Sequence, residues 1–227
     1  MTVRWTNRLV GFGLGIAALT AAPAQAASIT VINPSFEALP TGGLAGGNCG
    51  TGCSFSTTAI PGWINSGGTN GQFQPGSSSG THTYFDYIPD GSLTVAYTNG
   101  GSISQTLGAT AVAGRTYTLT TDFGVRHDLP NPGSITLTIG LANIVATGAI
   151  PAGGGWSTYT ATYTATGADA GGAIRITLDS PGGQGDFDHV QLSGSTVPEP
   201  ASWGLMLVGF GMVGIAARGR HRTALTA

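Results

Sequence analysis

Between residues 27 and 196, apolar and polar side chains alternate with a period of two. Ile135, Leu137 and Ile139 stand against Thr136 and Thr138, and Ile174, Ile176 and Leu178 against Arg175, Thr177 and Asp179. Such alternation turns one face of a strand to a core and the other to water. The same reading predicts strands at Ser28–Asn33, Leu93–Thr98, Ser102–Leu107, Arg115–Phe123, Ser157–Thr164 and Phe187–Leu192. Asn99-Gly100-Gly101 has the residues of a tight hairpin between two of them, and breaks bearing Gly or Pro separate the others. No stretch of this segment holds a helical period, so the expected class is all-β, an antiparallel β-sandwich.

The two ends follow a different pattern. Residues 1–26 run from Arg4 and Arg8 through an apolar stretch to Ala24-Gln25-Ala26. This is the layout of a signal peptide, with small residues Ala24 and Ala26 at a cleavage site after Ala26. A permanent N-terminal anchor is the alternative, but the run is short of the roughly 20 residues that cross hydrocarbon. At the other end, Pro198, Glu199, Pro200 and Trp203 lead into a glycine-rich apolar run over 201–217, closed by Arg218, Arg220 and Arg222. The arginines resist translocation, so a transmembrane helix here should stop with its C-terminus inside. It is a thin span, better suited to transient anchoring in the inner membrane than to a permanent hold.

Composition narrows the function classes. The 227 residues include 39 Gly and 12 Pro, which favour turns over a helical bundle, and all eight basic residues are Arg. The part from 27 to 196 sets nine carboxylates against Arg115, Arg126 and Arg175, a net charge of −6. That balance excludes a polybasic nucleic-acid binder and favours a soluble, anion-repelling surface.

The Pro-Glu-Pro-x-x-Trp motif, glycine-rich helix and arginine tail resemble the PEP-CTERM sorting signal of Gram-negative bacteria. The resemblance implies handling by an exosortase-type peptidase and delivery to the cell surface or the extracellular (biofilm) matrix. A plain tail anchor would share the topology without the processing. Further resemblance runs through Asn33-Pro34-Ser35-Phe36-Glu37, Gly62-Trp63, Gly101 to Leu107, Ala113 to Leu119, Trp156 and Phe187-Asp188-His189-Val190-Gln191-Leu192. This order is similar to the jelly-roll, galactose-binding-like sandwiches of carbohydrate-binding modules, which often have Asp where this chain has His189.

Candidate chemistry is sparse. Strand alternation places Asp188 on the face of Val190 and Leu192, where a carboxylate needs a partner. Glu37, at the end of the first strand, is a plausible neighbour, and two adjacent carboxylates would favour a cation between them, calcium by ligand type. The resembling modules imply the same calcium site; hydrogen bonds or an arginine would satisfy Asp188 without it. Tyr84, Phe85 and Tyr87 are candidates for a sugar-stacking platform, whereas Trp63 and Trp156 read as core. Cys49 and Cys53, the only cysteines, lie in an exported loop and should form a disulfide.

No nucleophile elbow or zinc motif is present, and Asp186 and Asp188 share a strand face, so they cannot flank a glycosidic bond from opposite sides. The expected function is an exported, non-catalytic β-sandwich whose partner is polysaccharide or an exopolysaccharide matrix. A structural or adhesion component without a sugar site, and behind it a secreted glycan hydrolase or lyase, are the alternatives.

Overall fold

The computed structural model describes residues 26–46, 49, 52–75, 84–89, 93–196, 204 and 208–212. Two compact units divide the chain, Ala24–Val197 and the two termini together. The first unit holds nine strands: β1 (Ala26–Ile29), β2 (Ser54–Ser56), β3 (Ile64–Gln74), β4 (Val95–Thr110), β5 (Arg115–Gly124), β6 (Ser134–Ile139), β7 (Ala142–Val145), β8 (Trp156–Thr164) and β9 (Ala173–Thr196). They form one antiparallel sheet in the order β2-β3-β4-β9-β5-β8, with β1 and β6 also on β9 and β7 on β6.

β9 organises the fold. Its first half lies between β4 and β6, while its second half lies between β5 and, on the other side, the start of β4 and then β1. Ile174, Ile176 and Leu178 from the first half join Phe187, Val190 and Leu192 from the second in one core. β6 adds Ile135, Leu137 and Ile139, and β5 adds Tyr117, Leu119 and Phe123. A sheet whose halves share one core has folded over on itself as a sandwich. Each fully buried aliphatic side chain here is worth about 1.5–3 kcal/mol of transfer free energy.

Three expectations change. Asn99-Gly100-Gly101 is not a hairpin: β4 runs through it, paired on one side to β3 and on the other to β9, with a register shift between Asn99 and Gly101. Gly100 has φ 68°, and opposite it Gly68 lies so close to the backbone of residues 99–101 that a Cβ would collide. The turn residues therefore bend a continuous strand rather than end it. Likewise, the two strands expected at 174–178 and 187–192 are one strand, β9.

The third change concerns Asp188. His189 has φ 51°, and the β5–β9 register slips between Thr120 and Asp122, so residues 189 and 190 together face one residue of β5. This bulge reverses the alternation. Asp188 is paired with Asp122, next to the core pair Phe123–Phe187, and so lies on the face opposite Val190 and Leu192.

In the second unit Gly204 and residues 208–212 are helical, and among the described residues no helix is long and apolar enough to cross a membrane. Residues 1–25 of the expected signal peptide 1–26, Ala24 among them, and the sorting residues Pro198, Glu199, Pro200, Trp203, Arg218, Arg220 and Arg222, lie outside the described residues. Ala26 opens β1, paired with Ser195.

Candidate functional site

The face of the sheet turned away from the main core carries a second cluster, built from Cys53, Phe73, Tyr84, Phe85, Val95, Tyr97 and Trp156. Register explains its position. Phe187 pairs with Ala96 and Phe123 on the core side, so Asp186, paired with Tyr97 and Gly124, must face the other way. Gly124 is needed where it stands, because a Cβ there would run into the Trp156 ring.

The segment 84–89 straps this face. His127 N donates to Tyr84 O at 2.9 Å, Asp86 N to Gly154 O at 2.8 Å, and Trp156 Nε1 to Tyr87 O at 2.9 Å. Phe85 packs on Trp156 with ring centroids 4.7 Å apart. A Cys49–Cys53 disulfide closes the neighbouring loop, and the Tyr84 hydroxyl donates to Cys49 O.

Between strap and sheet lies a pocket of about 180 Å³, lined by Cys49, Phe55, Phe73, Tyr84, Tyr97, Arg126 and Gln184. The Arg126 guanidinium sits 4.2 Å above the Tyr84 ring and 5.6 Å from that of Phe73. It is anchored by Asp128, through hydrogen bonds of 2.8 and 2.6 Å that hold the Asp128 carboxyl below the usual carboxylate range. Arg126 also donates to Gln184 Oε1 at 2.8 Å, and Gln184 Nε2 donates in turn to Asp186 Oδ1 at 2.8 Å.

Asp186 is the unusual group. It is 0% exposed, and its Oδ2 has no hydrogen-bond partner among the described residues. Burial pushes its carboxyl up to about 7, against the opposing pull of the Gln184 hydrogen bond and the Arg126 charge. Burial, then the Asp186 charge, raises the Tyr97 phenol too. A carboxylic acid half protonated near neutrality, with one buried oxygen unpartnered, can donate a hydrogen bond or a proton.

The sequence-predicted site residues divide among different places. Tyr84 lines this pocket, Phe85 is buried at 1% exposure, and Tyr87 presents an open ring at 52%. Glu37 Oε1 accepts from the amides of Leu93 and Thr94, at 3.0 and 2.7 Å. Asp188 is fully buried, and its Oδ1 accepts from His189 N at 2.7 Å. Among the described residues no group of three or more His, Cys, Asp or Glu side chains is placed to hold a metal ion. Peptide amides meet the charge of Glu37.

The pocket itself was missed in the sequence. Cys49, Tyr84, Arg126 and Gln184 are far apart along the chain, and of the lining residues only Tyr84 and the disulfide's Cys49 were candidates in the sequence.

Fold and site define an all-β sandwich with a small pocket on its outer face and a buried acid, Asp186, hydrogen-bonded to the pocket's Gln184. Residues 27–193 match the HpiC1-like family, described as HpiC1 cyclase, and the chain belongs to that family. Residues 196–221 match the PEP-CTERM protein-sorting motif, which marks the chain for export and membrane-associated processing.

Among solved structures, the apo form of a cyclase from Fischerella sp. is similar with a TM-score of 0.60 at 23% identity, covering 74% of this chain and 96% of that one. A Stig cyclase, Fisc, from Fischerella sp. TAU, in complex with (3Z)-3-(1-methyl-2-pyrrolidinylidene)-3H-indole, gives 0.59 at 22% identity, covering 76% and 100%. A CBM22-1 xylan-binding domain from Paenibacillus barcinonensis gives 0.41 at 11% identity, covering 78% and 99%. At these identities the cyclase likeness is one of fold. No curated protein matches the chain.

Proposed function

We propose that this exported domain takes a small ring-bearing ligand into the outer-face pocket and that Asp186 donates a proton to it. The observation that carries this reading is the Asp186 carboxyl, fully buried, raised to about 7 and with one oxygen unpartnered. An acid with a pKa near the working pH is both protonated enough to give a proton and acidic enough to release it. Once it has done so, the Gln184 amide and the nearby Arg126 stabilise the carboxylate left behind.

The pocket's 180 Å³ is below the roughly 300–1,000 Å³ of a drug-sized site, which suits one or two rings rather than a polymer. Another cyclase structure from Fischerella sp. TAU, also similar in fold, holds 4-(1H-indol-3-yl)butan-2-one, a ligand of this size and aromatic character. The reaction class is acid-assisted rearrangement or ring closure, in which the proton given is later returned and no oxidant is required. This departs from the expectation of a non-catalytic domain.

The test is binding of 4-(1H-indol-3-yl)butan-2-one to the full chain, followed by fluorescence from pH 5 to 9. Affinity should fall with a midpoint near 7 and be lost in Tyr84→Ala. Absent binding, or affinity flat across that range in both wild type and Asp186→Asn, contradicts the reading.

A second reading keeps polysaccharide as a partner on a different surface. It is favoured by the exposed hydroxyls of β5 and β8, where Thr116 and Thr118 pair with Thr164 and Thr162. Uncharged hydroxyl rows suit a neutral matrix polymer, and the PEP-CTERM motif supports exosortase-type processing and transient anchoring on the route there.

A further inference from the structure

On strands β1, β9 and β5, and sharing no lining residue with the pocket, lies a groove of about 700 Å³. Ser28, Thr118, Thr120, Gln191 and Ser193 give it polar edges and Pro34 an apolar contact. None of its lining residues among those described is charged.

Strand register turns these residues into rows. Ser28 pairs with Ser193, Ser193 with Thr118, and Thr118 with Thr162, so one line of hydroxyls crosses β1, β9, β5 and β8. Gln191, Thr120 and Thr160 form the next line, about 7 Å further along the strands.

A histidine stands beside the second row, two residues before Gln191 on β9. The bulge at His189 turns its ring out of the strand alternation and leaves the side chain 37% exposed. His189 Nδ1 lies 3.1 Å from Asp122 Oδ2, and the other oxygen of Asp122 accepts from Thr158 Oγ1 at 2.6 Å. A carboxylate can only accept, so the neutral ring carries its proton on Nδ1, and Nε2 is left as an acceptor. The Gln191 amide, itself a groove residue, occupies that acceptor.

We propose that this groove binds a neutral polysaccharide chain and that Gln191, its amide NH2 held by Nε2 of His189, presents its Oε1 to one sugar hydroxyl. The proposal rests on the second reading above and gives it a place. A sugar offers hydroxyls that both donate and accept, and C–H faces that tolerate apolar contact, the mixture this groove presents. An acidic polymer is disfavoured, since the groove contains no cation and the domain carries a net charge of −6. Asp122 is a positioning residue: it fixes which ring nitrogen accepts.

The experiment is affinity electrophoresis of the full chain through gels containing laminarin, dextran or soluble starch, with alginate as the acidic control. At least one neutral polymer should retard the wild type and alginate should not. His189→Asn keeps a residue type that tolerates the left-handed backbone and should weaken retardation at least tenfold without moving Tm. Gln191→Leu, at an exposed position, serves as the second variant if His189→Asn does not fold. Asp122→Asn should move the ring proton to Nε2, visible in the imidazole nitrogen NMR shifts, and weaken binding with it. Retardation that survives unchanged in all three variants overturns this site but leaves polysaccharide binding standing. A wild type retarded by no neutral polymer overturns both.

Discussion

The two halves of β9 behave as different materials. From 174 to 178 every second residue is a buried aliphatic, β6 is in register throughout and β4 from 175 on, and the strand serves to pack. From 184 to 192 the same strand holds Asp186 and Asp188 at zero exposure, a bulge at His189 and contact with the pocket through Gln184. Regular alternation builds the fold, and chemistry begins where it is broken.

Introducing a charge into the first half should have the largest effect. Ile176→Asp places an unpartnered carboxylate in the main core, where removal of the aliphatic chain alone costs about 2–5 kcal/mol. Circular dichroism and urea titration should show a chain that no longer folds cooperatively. A cooperative transition near the wild-type midpoint would erase the distinction between the halves.

Removing the native acid from the second half should act in the opposite direction. The Asp186 carboxyl is raised from 3.8 to about 7 on folding, so the folded state binds the extra proton between those values. Wild-type stability must then fall as pH rises from about 4 through 7. Asp186→Asn lacks this loss and should be more stable at pH 8 by at most about 4 kcal/mol, the three-unit shift converted at 1.36 kcal/mol per unit, with little difference at pH 4. Equal pH slopes for the two proteins in urea titrations would count against the buried acid.

The disulfide supports only the second half's pocket. Opening the small Cys49–Cys53 loop should cost about 2 kcal/mol by loop-closure entropy. It should also release the Cys49 carbonyl that accepts from Tyr84, so reduction should weaken pocket binding while the strand signal in circular dichroism persists. Loss of the strand signal on reduction would place the bridge in the fold itself.

The smallest effect belongs to Asp169, which ties the loop before β9 to the sandwich. Hydrogen bonds from Thr166 N and Oγ1, then from Tyr163, lower its carboxyl to about 2. Its contribution is present above pH 4 and is lost as pH falls through 2. Asp169→Asn should flatten the acid limb of the stability profile between pH 4 and 2, and an unchanged limb would assign that limb to other carboxylates.

What was legible in the sequence follows the same division. The strands β5, β6 and β8 were readable because one face of each is apolar, and the disulfide because the chain has only two cysteines. β3 was not, since Asn65-Ser-Gly-Gly-Thr-Asn-Gly71 has no apolar face to show; its pairing is supplied by β4. Asn99-Gly100-Gly101 misled because a bend and a hairpin ask for the same residues. Asp188 was placed on the wrong face because a bulge leaves no mark in a two-residue period. The pocket was hidden for a further reason: the acid behind it is made unusual by burial, against the pull of Gln184 and Arg126, and only the folded sheet buries it.

The central claim is that Asp186 keeps its proton up to near-neutral pH in the folded protein. Its carboxyl carbon, followed by carbon-13 NMR with labelled aspartate and assigned through Asp186→Asn, should titrate with a midpoint near 7. A resonance already that of the carboxylate at pH 5 would contradict the account.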